Sequence, residues 1–295
     1  MQHARPRLLS RRRVERLLSK TKSSDSAGCR IEVLSRHFLG QPYQINPLIG
    51  SARTPEIFVA SLDTFDCVTY VETVLALSLA STPSQFTEWL RKIRYEGGRI
   101  AWNRRNHYMT GWIRSNVRTG TVHRLALPNV PIVVKNRTLN GIPGLPASPV
   151  RFTCVPKPAI GRLTQRLETG DLIFFASTRK HLDVFHCGII VRDNSQILVR
   201  HASRSRGGVV EQGLNDFLKA NRMAGVIVAR PKDQGGSPHV PYHTGEGTRG
   251  QPPRNDCLED CLSQRPIFAE SHRTCRSCHF RHSVHWRFAS GYRAG

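Results

Sequence analysis

The segment that most constrains the fold is residues 67–80, which are apolar on nearly every side when drawn as a helix. Its apolar members are Val68, Val71, Val74, Leu75, Ala76, Leu77, Leu79 and Ala80. A helix without a polar face has to be enclosed by other elements, so it belongs at the centre of a core. Asp66 precedes it, and its carboxylate can accept from the unpaired N–H groups of the first turn. We therefore predict a buried central helix that begins at Cys67.

The remaining elements follow an order of helices first and strands afterwards. Helical spacing of apolar residues recurs over residues 31–38 and 84–96, and a short helix is predicted over 214–220. Strand patterns follow the turn at Gly170-Asp171, over residues 172–176, 184–191, 196–202 and 225–229. Helices followed by meandering strands predict an α+β domain with an antiparallel sheet.

The composition changes at both ends of this body. Residues 1–22 hold eight Lys or Arg and one acid, Glu15, which defines a basic N-terminal arm over residues 1–24. Beyond Pro231, Gly, Pro, His, Arg and Ser dominate without periodicity, so we predict a disordered tail over residues 233–295. The predicted folded domain is therefore residues 25–232, with a loop-rich insertion over 118–160 where Pro and Gly recur.

The charge balance is strongly basic. The chain carries 44 Lys and Arg against 21 Asp and Glu, a formal net charge of +23. Such a field favours anionic partners, such as nucleic acid, an anionic lipid surface or a charged wall polymer. A non-enzymatic basic binding protein is therefore one hypothesis. No aromatic residue alternates with the arginines of the arm, so specific nucleic-acid binding is not expected.

The sequence does not indicate the cellular localisation of the protein. No stretch approaches the ~18 apolar residues of a membrane-spanning helix, so no transmembrane segment is expected. Ser10-Arg11-Arg12-Arg13 is similar to a twin-arginine export signal. Residues 14–24, however, lack the run of about seven apolar residues that such a signal needs. No export signal is visible as written, and localisation stays open.

Cys67 is a candidate nucleophile because of its position in the predicted helix. At the first turn, unpaired N–H groups and the helix dipole stabilise a negative charge, which lowers the pKa of a thiol. The same N–H groups can stabilise the oxyanion of a tetrahedral intermediate. The alternative is that Cys67 is a small buried hydrophobic residue.

A predicted hairpin brings two histidines together far downstream. If Asp193-Asn194 is a two-residue turn, His186 and His201 stand directly opposite each other on one face, with Cβ atoms ~5 Å apart. This arrangement suits a base, His186, oriented by a polar partner, His201. A metal-binding pair is the alternative, although no third ligand is predicted on that face. Strand alternation points Cys187 away from His186, so we predict that Cys187 lies in the core.

The tail contains a second group of cysteines. Two pairs with neighbouring histidines could in principle fill a tetrahedral zinc site. These residues are Cys257, Cys261, Cys275, Cys278, His279 and His282. The spacing of the first pair is irregular and no apolar core surrounds them, so we predict an unstructured extension without a metal.

Several segments together resemble a known family, the NlpC-like cell-wall hydrolases with a papain-like fold, and most closely its N-acetylmuramoyl-L-alanine amidase-like branch. The segments lie in order between residue 30 and about residue 231. They are Phe38-Leu39-Gly40-Gln41-Pro42-Tyr43, Phe65-Asp66-Cys67-Val68-Thr69-Tyr70-Val71-Glu72, Arg105-Asn106-His107-Tyr108 with Trp112, Gly170-Asp171, Asp183-Val184-Phe185-His186-Cys187-Gly188-Ile189 and His201-Ala202-Ser203. The resemblance implies a papain-like core, in which the nucleophile helix packs on an antiparallel sheet that carries the histidines.

The resemblance also implies an activity and its residues. It implies hydrolysis of the amide between N-acetylmuramic acid and L-alanine in peptidoglycan or muropeptides through a thioester, without a cofactor. The implied catalytic residues are Cys67, His186 and His201. The implied substrate-binding residues are Tyr43, Asp66, Arg105, His107 and Tyr108. A D,L- or L,D-endopeptidase of the same superfamily is the alternative. The resemblance favours the periplasm or cell envelope, and the visible start favours the cytoplasm, where muropeptides are recycled.

Overall fold

The computed structural model describes residues 9–22, 24, 26–194 and 196–233. Its α-helices are α1 (Arg11–Ser19), α2 (Ala27–His37), α3 (Cys67–Leu79), α4 (Pro83–Arg94), α5 (Met109–Arg118), α6 (Ile160–Leu163) and α7 (Leu214–Ala220). Its strands are β1 (Val122–Arg124), β2 (Val133–Leu139), β3 (Ser148–Pro156), β4 (Leu172–Ala176), β5 (Val184–Asp193), β6 (Gln196–Ser203), β7 (Gly208–Gly213) and β8 (Gly225–Pro231). No helix in these ranges is long and apolar enough to span a membrane. The tail predicted over residues 233–295, with its cysteines, lies outside the described residues after Asp233.

The strands form one antiparallel sheet with the order β2-β3-β8-β4-β5-β6-β7, and β1 pairs with β8. The fold is therefore a mixed α+β fold with a large antiparallel sheet, as predicted. The predicted insertion supplies β1, β2 and β3, which together cover 19 of its 43 residues. Its β2–β3 hairpin forms one edge of the sheet.

Helix α3 begins at Cys67, as predicted, because Asp66 caps it. The Asp66 carboxylate accepts from Thr69 N (2.7 Å), while the Thr69 hydroxyl accepts from Asp66 N (3.0 Å), which completes a capping box. Eleven of the thirteen helix residues are buried. The helix packs against α2, α4, β5 and β6. Its position at the centre of the core is therefore confirmed.

The one carboxylate buried within α3 is neutralised by its neighbours. Glu72 accepts from Arg94 Nε (2.7 Å) and from Trp112 Nε1 (3.2 Å). Arg94 is 2% exposed and also contacts the Val59 carbonyl. Because a buried charge is tolerated only when it is paired and hydrogen-bonded, this cluster accounts for Glu72 as a structural residue that ties α3 to α4 and α5.

Helix α1 lies within the predicted basic arm but packs on the body. Val14, Leu17 and Leu18 are buried in the same apolar core as α3. Arg13 forms an ion pair with Asp63 and also donates to the Leu62 carbonyl (2.9 Å). The arm is therefore not separate from the body over α1, because this basic helix has an apolar stripe that charge counting does not register.

The β5–β6 hairpin differs from its predicted register by two residues. Asp193 pairs with Gln196 and Ile189 with Arg200, so the strand runs one residue further than expected before it turns. Asn194 has a φ of 52°, a left-handed conformation that Asn tolerates and that hairpin turns require. The predicted turn at Asp193-Asn194 is wrong. A shift of two preserves the face of every side chain, so His186 and His201 still share a face but stand diagonally.

The sheet is covered by apolar cores on both faces. All five residues of β4 are buried. Leu172 and Phe174 belong to the core that contains α3, whereas Ile173 and Phe175 belong to a second core with Phe217 of α7. The N-terminus of α3 and the aromatic side of α7 thus meet the same pair of strands, β5 and β6, which carry the histidines.

Candidate active site

Cys67 is the first residue of α3, and the residue as a whole is partly exposed to solvent. The first hydrogen bond within the helix runs from Tyr70 N to Asp66 O (3.0 Å), so the N–H groups of Cys67 and Val68 come before it. Helix N-termini present such groups to anions. The position therefore suits both a thiolate and an oxyanion that forms beside it.

His186 and His201 form a direct ring-to-ring hydrogen bond. The distance between His186 Nε2 and His201 Nδ1 is 2.7 Å, and the two rings are nearly perpendicular at 88°. His201 is 2% exposed, and its Nε2 lies 3.4 Å from Gln212 Oε1. Because the Gln212 oxygen can only accept, His201 carries its proton on Nε2 and accepts on Nδ1. His186 therefore donates from Nε2, and its Nδ1 is left for another partner.

His186 also influences the Cys67 thiol. The pKa of Cys67 is held well below its usual value, first by hydrogen bonding from the Cys187 thiol, against the effect of burial, and then by the charge and hydrogen bond of His186. Burial lowers the pKa of His201 to about 4, helped by the nearby charge of His186. His201 therefore stays neutral while the Cys67–His186 pair can carry separated charges.

Aromatic rings fix the plane of the His186 imidazole. The His186 and Phe217 rings stack with centroids 5.5 Å apart and planes 21° apart. The Phe175 ring also lies parallel to it, with centroids 6.2 Å apart. Such packing limits rotation of the His186 ring, so Nε2 stays directed at His201 and Nδ1 stays available to Cys67. An arrangement of this kind performs proton transfer to and from a thiol.

Cys187 lies beneath the nucleophile. It is 1% exposed and belongs to the core that contains α3, as predicted. Its thiol also donates to the main-chain oxygen of Cys67 over 3.2 Å, a contact that the sequence did not predict. Sequence alternation could place Cys187 only on the face opposite His186, because the approach of α3 to β5 is a tertiary feature.

Tyr43 and Asp66 complete the surroundings of Cys67. Tyr43 is held beside Phe65 in a short bridge, and its N–H donates to Gly207 O (2.8 Å). Burial and then the charges of Cys67 and Asp66 raise the pKa of Tyr43 to about 12, so its hydroxyl stays protonated. Burial and then Cys67 raise the pKa of Asp66 to about 6. The structure brings both residues close to Cys67.

Arg105, His107 and Tyr108 have other partners. Arg105 Nη1 contacts Glu56 Oε1 (3.3 Å), and both side chains are largely buried. His107 Nε2 contacts the Trp102 carbonyl (2.7 Å), and burial lowers the pKa of His107. The Tyr108 hydroxyl accepts from Gly141 N (2.9 Å). In the described part of the chain, none of these hydrogen bonds and ion pairs reaches Cys67, His186 or His201, so the structure does not gather the predicted substrate residues into one cluster.

Asp183 of the family segment also has a structural contact. Its Oδ2 accepts from Thr110 N and from the Thr110 hydroxyl, both at 2.7 Å. It thereby braces the start of α5 against the start of β5. The sequence offered no catalytic role for it, and these contacts account for its burial.

The alternative of a metal held by the two histidines does not fit their geometry. Two nitrogens on one tetrahedral zinc, each about 2.0–2.1 Å from the ion, would stand more than about 3 Å apart. The ring nitrogens of His186 and His201 are 2.7 Å apart, which is a hydrogen-bond distance. Within the described residues, no group of three or more His, Cys, Asp or Glu could hold a metal ion.

Gln212 is the residue of this cluster that sequence reasoning missed. It lies on β7, where Val210 pairs with His201 and Gln212 pairs with Val199. Gln212 and Val210 share a face because side chains alternate along a strand. A polar residue two positions from the partner of a histidine is the signal that could have identified it, once the β6–β7 register was known.

The chain is similar to one known protein family and to several solved structures. The sequence model of the AmiA-like family, described as N-acetylmuramoyl-L-alanine amidase-like, matches residues 33–226. A solved N-acetylmuramoyl-L-alanine amidase from Bacteroides uniformis ATCC 8492 is 27% identical, with a TM-score of 0.63, over 70% of this chain and 99% of that chain. No curated protein matches.

Two further solved structures have the same fold. Protein LPG0564 from Legionella pneumophila str. Philadelphia 1 is 21% identical, with a TM-score of 0.66, over 75% of this chain and 94% of that chain. A Bacteroides fragilis protein named for xylanase activity is 25% identical, with a TM-score of 0.56, over 66% of this chain and 98% of that chain.

Proposed function

The chain belongs to the AmiA-like, N-acetylmuramoyl-L-alanine amidase-like family, and from that membership we propose that it cleaves peptidoglycan fragments with Cys67 as nucleophile. The bond cut is the amide between N-acetylmuramic acid and L-alanine. One observation carries the proposal: Cys67 at the start of α3 lies against His186, whose other ring nitrogen is 2.7 Å from buried His201. The solved amidase that shares 27% identity supports the choice of substrate.

The first half of the reaction forms a thioester. His186 Nδ1 takes the thiol proton, and the Cys67 thiolate attacks the amide carbonyl carbon. The negative charge passes to the carbonyl oxygen, where the N–H groups of the first turn of α3 donate to it. The intermediate collapses when His186 returns the proton to the leaving nitrogen. The peptide departs with a free amine, and the lactyl group of the sugar stays bonded to sulfur.

The second half repeats the sequence with water. His186 removes a proton from water, the resulting hydroxide attacks the thioester, and the sulfur leaves as thiolate. His201 remains neutral throughout because its pKa is about 4. Its Nδ1 accepts from His186 Nε2, which fixes the tautomer that the base needs. Gln212 holds the His201 proton on the far side.

The finer classification of the fold is part of the same proposal. A nucleophile at the start of a buried helix that faces a histidine on an antiparallel sheet agrees with a papain-like core. We therefore propose that the chain belongs to the NlpC-like superfamily. This placement depends on the order of the motifs and on the contacts of Cys67 and His186.

The name of the Bacteroides fragilis protein suggests a glycosidase, but the chemistry of the cluster argues against that activity here. Glycosidases generally use two carboxylates about 5–10 Å apart. The groups gathered around Cys67 are a thiol, two imidazoles and one carboxylate, Asp66, which caps the helix. A thiol with a base favours acyl transfer.

The test is mass spectrometry of purified muropeptides after incubation with the wild-type protein, with Cys67→Ala and with Cys29→Ala. Cys29 is the matched control, because it is another partly exposed free cysteine, on α2. Release of the intact stem peptide by wild type and Cys29→Ala, but not by Cys67→Ala, supports the proposal. Cleavage within the stem peptide would show that the protein is an endopeptidase. The absence of cleavage by all three proteins would contradict the proposed hydrolase activity.

A further inference from the structure

A cationic surface lies apart from the proposed nucleophile. Two grooves adjoin at Arg151, one of about 680 Å³ and one of about 350 Å³, and no Asp or Glu lines either groove. We call their cationic side chains the basic surface: Arg114, Arg118, Arg124, Arg137, Arg151 and Lys180. The surface combines residues of α5, the β1–β3 insertion and the loop before β5.

Most of these charges are not neutralised by the protein. Arg118 contacts Glu96 (3.3 Å), and both side chains are exposed. Arg124 and Arg137 donate to hydroxyl or main-chain oxygens, and the enclosed Nε of Arg137 has no hydrogen-bond partner. In the described residues no carboxylate pairs with Arg151 or the remaining members. Like charges held close together repel one another, and an anionic ligand would relieve that repulsion.

The basic surface continues from the segment that the family resemblance assigns to the substrate. Helix α5, which carries Arg114 and Arg118, begins directly after Tyr108. The Tyr108 hydroxyl accepts from Gly141 N (2.9 Å), in the loop between β2 and β3. The basic surface therefore lies beside that segment, whose own side chains are held by Glu56, Trp102 and Gly141.

We propose that the basic surface binds an extended anionic polymer of the cell wall and holds the enzyme on intact wall material. This rests on the proposed function. The anions that we assign to this surface are the carboxylates of neighbouring peptide stems, which repeat along the polymer that contains the proposed substrate. A nucleic acid is less favoured, because no Tyr or Trp lines the grooves and Phe152 is only 7% exposed, so bases would find no stacking platform.

The experiment measures binding separately from catalysis. Full-length Cys67→Ala protein is sedimented with purified sacculi, with and without the triple change Arg114→Gln, Arg124→Gln, Arg151→Gln. Exposed charge contacts each contribute about twofold, so the triple variant should bind about tenfold more weakly, and salt should weaken the parent more than the variant. The matched control is Arg162→Gln, Lys219→Gln, Arg222→Gln, three exposed cationic residues elsewhere on the domain.

Further arms identify the anion and the class of ligand. Sacculi stripped of phosphodiester polymers should retain the binding, and loss of binding on stripping would assign the surface to those polymers and overturn the proposal. Equal binding by the test and control triples would overturn the proposal. Tighter binding to polyuridylate than to sacculi, lost in the test triple, would assign the surface to nucleic acid instead. Since sacculus binding needs no turnover, these results do not depend on whether the amidase reaction occurs.

A separate observation concerns the buried thiol beneath the nucleophile. The Cys187 thiol donates to the main-chain oxygen of Cys67 over 3.2 Å, and hydrogen bonding from Cys187 is also the largest influence that lowers the pKa of Cys67. When Cys67 is a thiol, the hydrogen is directed to the carbonyl. When Cys67 is a thiolate, the negative sulfur is the stronger acceptor.

We infer that Cys187 is a positioning residue whose thiol donates to the Cys67 thiolate and holds the start of α3 against β5. Because Cys187 is buried in the core, it has no direct access to substrate and acts only through Cys67. His186 and Cys187, adjacent on β5, would then act on the same sulfur, one as base and one as hydrogen-bond donor.

The pH profile of Cys67 alkylation tests this role. Iodoacetamide labelling is followed by mass spectrometry of the Cys67 peptide in wild type, Cys187→Val, Cys187→Ala and Cys187→Ser. Valine and alanine remove the donor, so the labelling midpoint should rise by about one pH unit in both, whereas serine keeps a donor and should stay close to wild type. Unchanged midpoints in both donor-free variants, or an equal rise with serine, would overturn the inference.

Discussion

Two regions of the molecule carry segments of the same family pattern, but they are built differently. The region around Cys67, His186 and His201 is a chain of contacts between side chains that have chemical functions. The region from Arg105 to Tyr108 is tied down by contacts with Glu56, Trp102 and Gly141. The same kind of sequence evidence therefore led to a cluster of contacting side chains in one place and to a loop held by contacts with neighbouring residues in the other.

The difference lies in what each region has available for substrate. In the first region, Cys67 and Tyr43 are both partly exposed residues. In the second, Arg105 is only 14% exposed, and its guanidinium is engaged by Glu56 and Gly50. A polar residue in a family motif can thus be a substrate contact or part of the framework, and its contacts decide which reading to test first.

We expect His186→Ala to lose most of the hydrolytic activity. Without the base, the Cys67 proton has no acceptor and the leaving amine has no donor, so kcat should fall by about 10³-fold or more. The measurement is the rate of stem-peptide release, with circular dichroism as the check on folding. His37→Ala is the matched control, because this histidine lies on α2 and contacts Lys20. A reduction below tenfold in His186→Ala would contradict the proposed base.

Arg105→Ala should lower stability more than it alters chemistry. The change leaves the Glu56 carboxylate buried, with only the Tyr95 hydroxyl (2.7 Å) as a donor, and breaking a buried pair costs about 3–5 kcal/mol. Urea unfolding measures the free energy of unfolding. Addition of Glu56→Gln to Arg105→Ala should restore part of the loss, because the double variant has no buried charge. A normal unfolding curve together with a strongly raised KM would instead make Arg105 a substrate contact.

The next effect is a pH dependence of stability that comes from His201. Its folded-state pKa of about 4 is below the usual 6.5 of the unfolded chain, so the unfolded state binds more protons between these values. His201 therefore costs stability as the pH falls from about 6.5 towards 4, by about 3 kcal/mol in total. Asp66 acts in the opposite direction, because its raised pKa of about 6 gives stability that is lost as the pH rises through that value.

The two effects are separated by comparison with variants. Urea unfolding at pH 7 and pH 5 gives the change in stability for wild type, His201→Gln and Asp66→Asn. We expect His201→Gln to lose less stability on acidification than wild type, and Asp66→Asn to lose more. Identical pH dependence in wild type and His201→Gln would show that His201 is not held neutral by burial.

Local patterns predicted the elements well, and contacts between elements were harder to predict. The start of α3 depends on Asp66 and the apolar run beside it, so it was correct. The shared face of His186 and His201 depends on strand alternation, which survives a register shift of two. The shift itself depends on Asn194, which adopts a positive φ and moves the turn by one residue. The Gln212–His201 and Arg105–Glu56 contacts connect residues that are far apart in the sequence. The periodicity of apolar residues does not predict that they lie close together.

The last prediction concerns Tyr43, which lies close to Cys67. Tyr43 keeps its hydroxyl proton because its pKa is about 12, so it can donate to substrate or to the developing oxyanion. Tyr43→Phe removes one hydrogen bond, and kcat/KM should fall by about tenfold with little change in stability. The matched control is Tyr70→Phe, which removes a hydroxyl that donates to the buried Ser35 carbonyl (3.1 Å). Tyr70→Phe should lose stability and keep its activity. If Tyr43→Phe instead loses stability and keeps its activity, Tyr43 is a structural residue like Arg105.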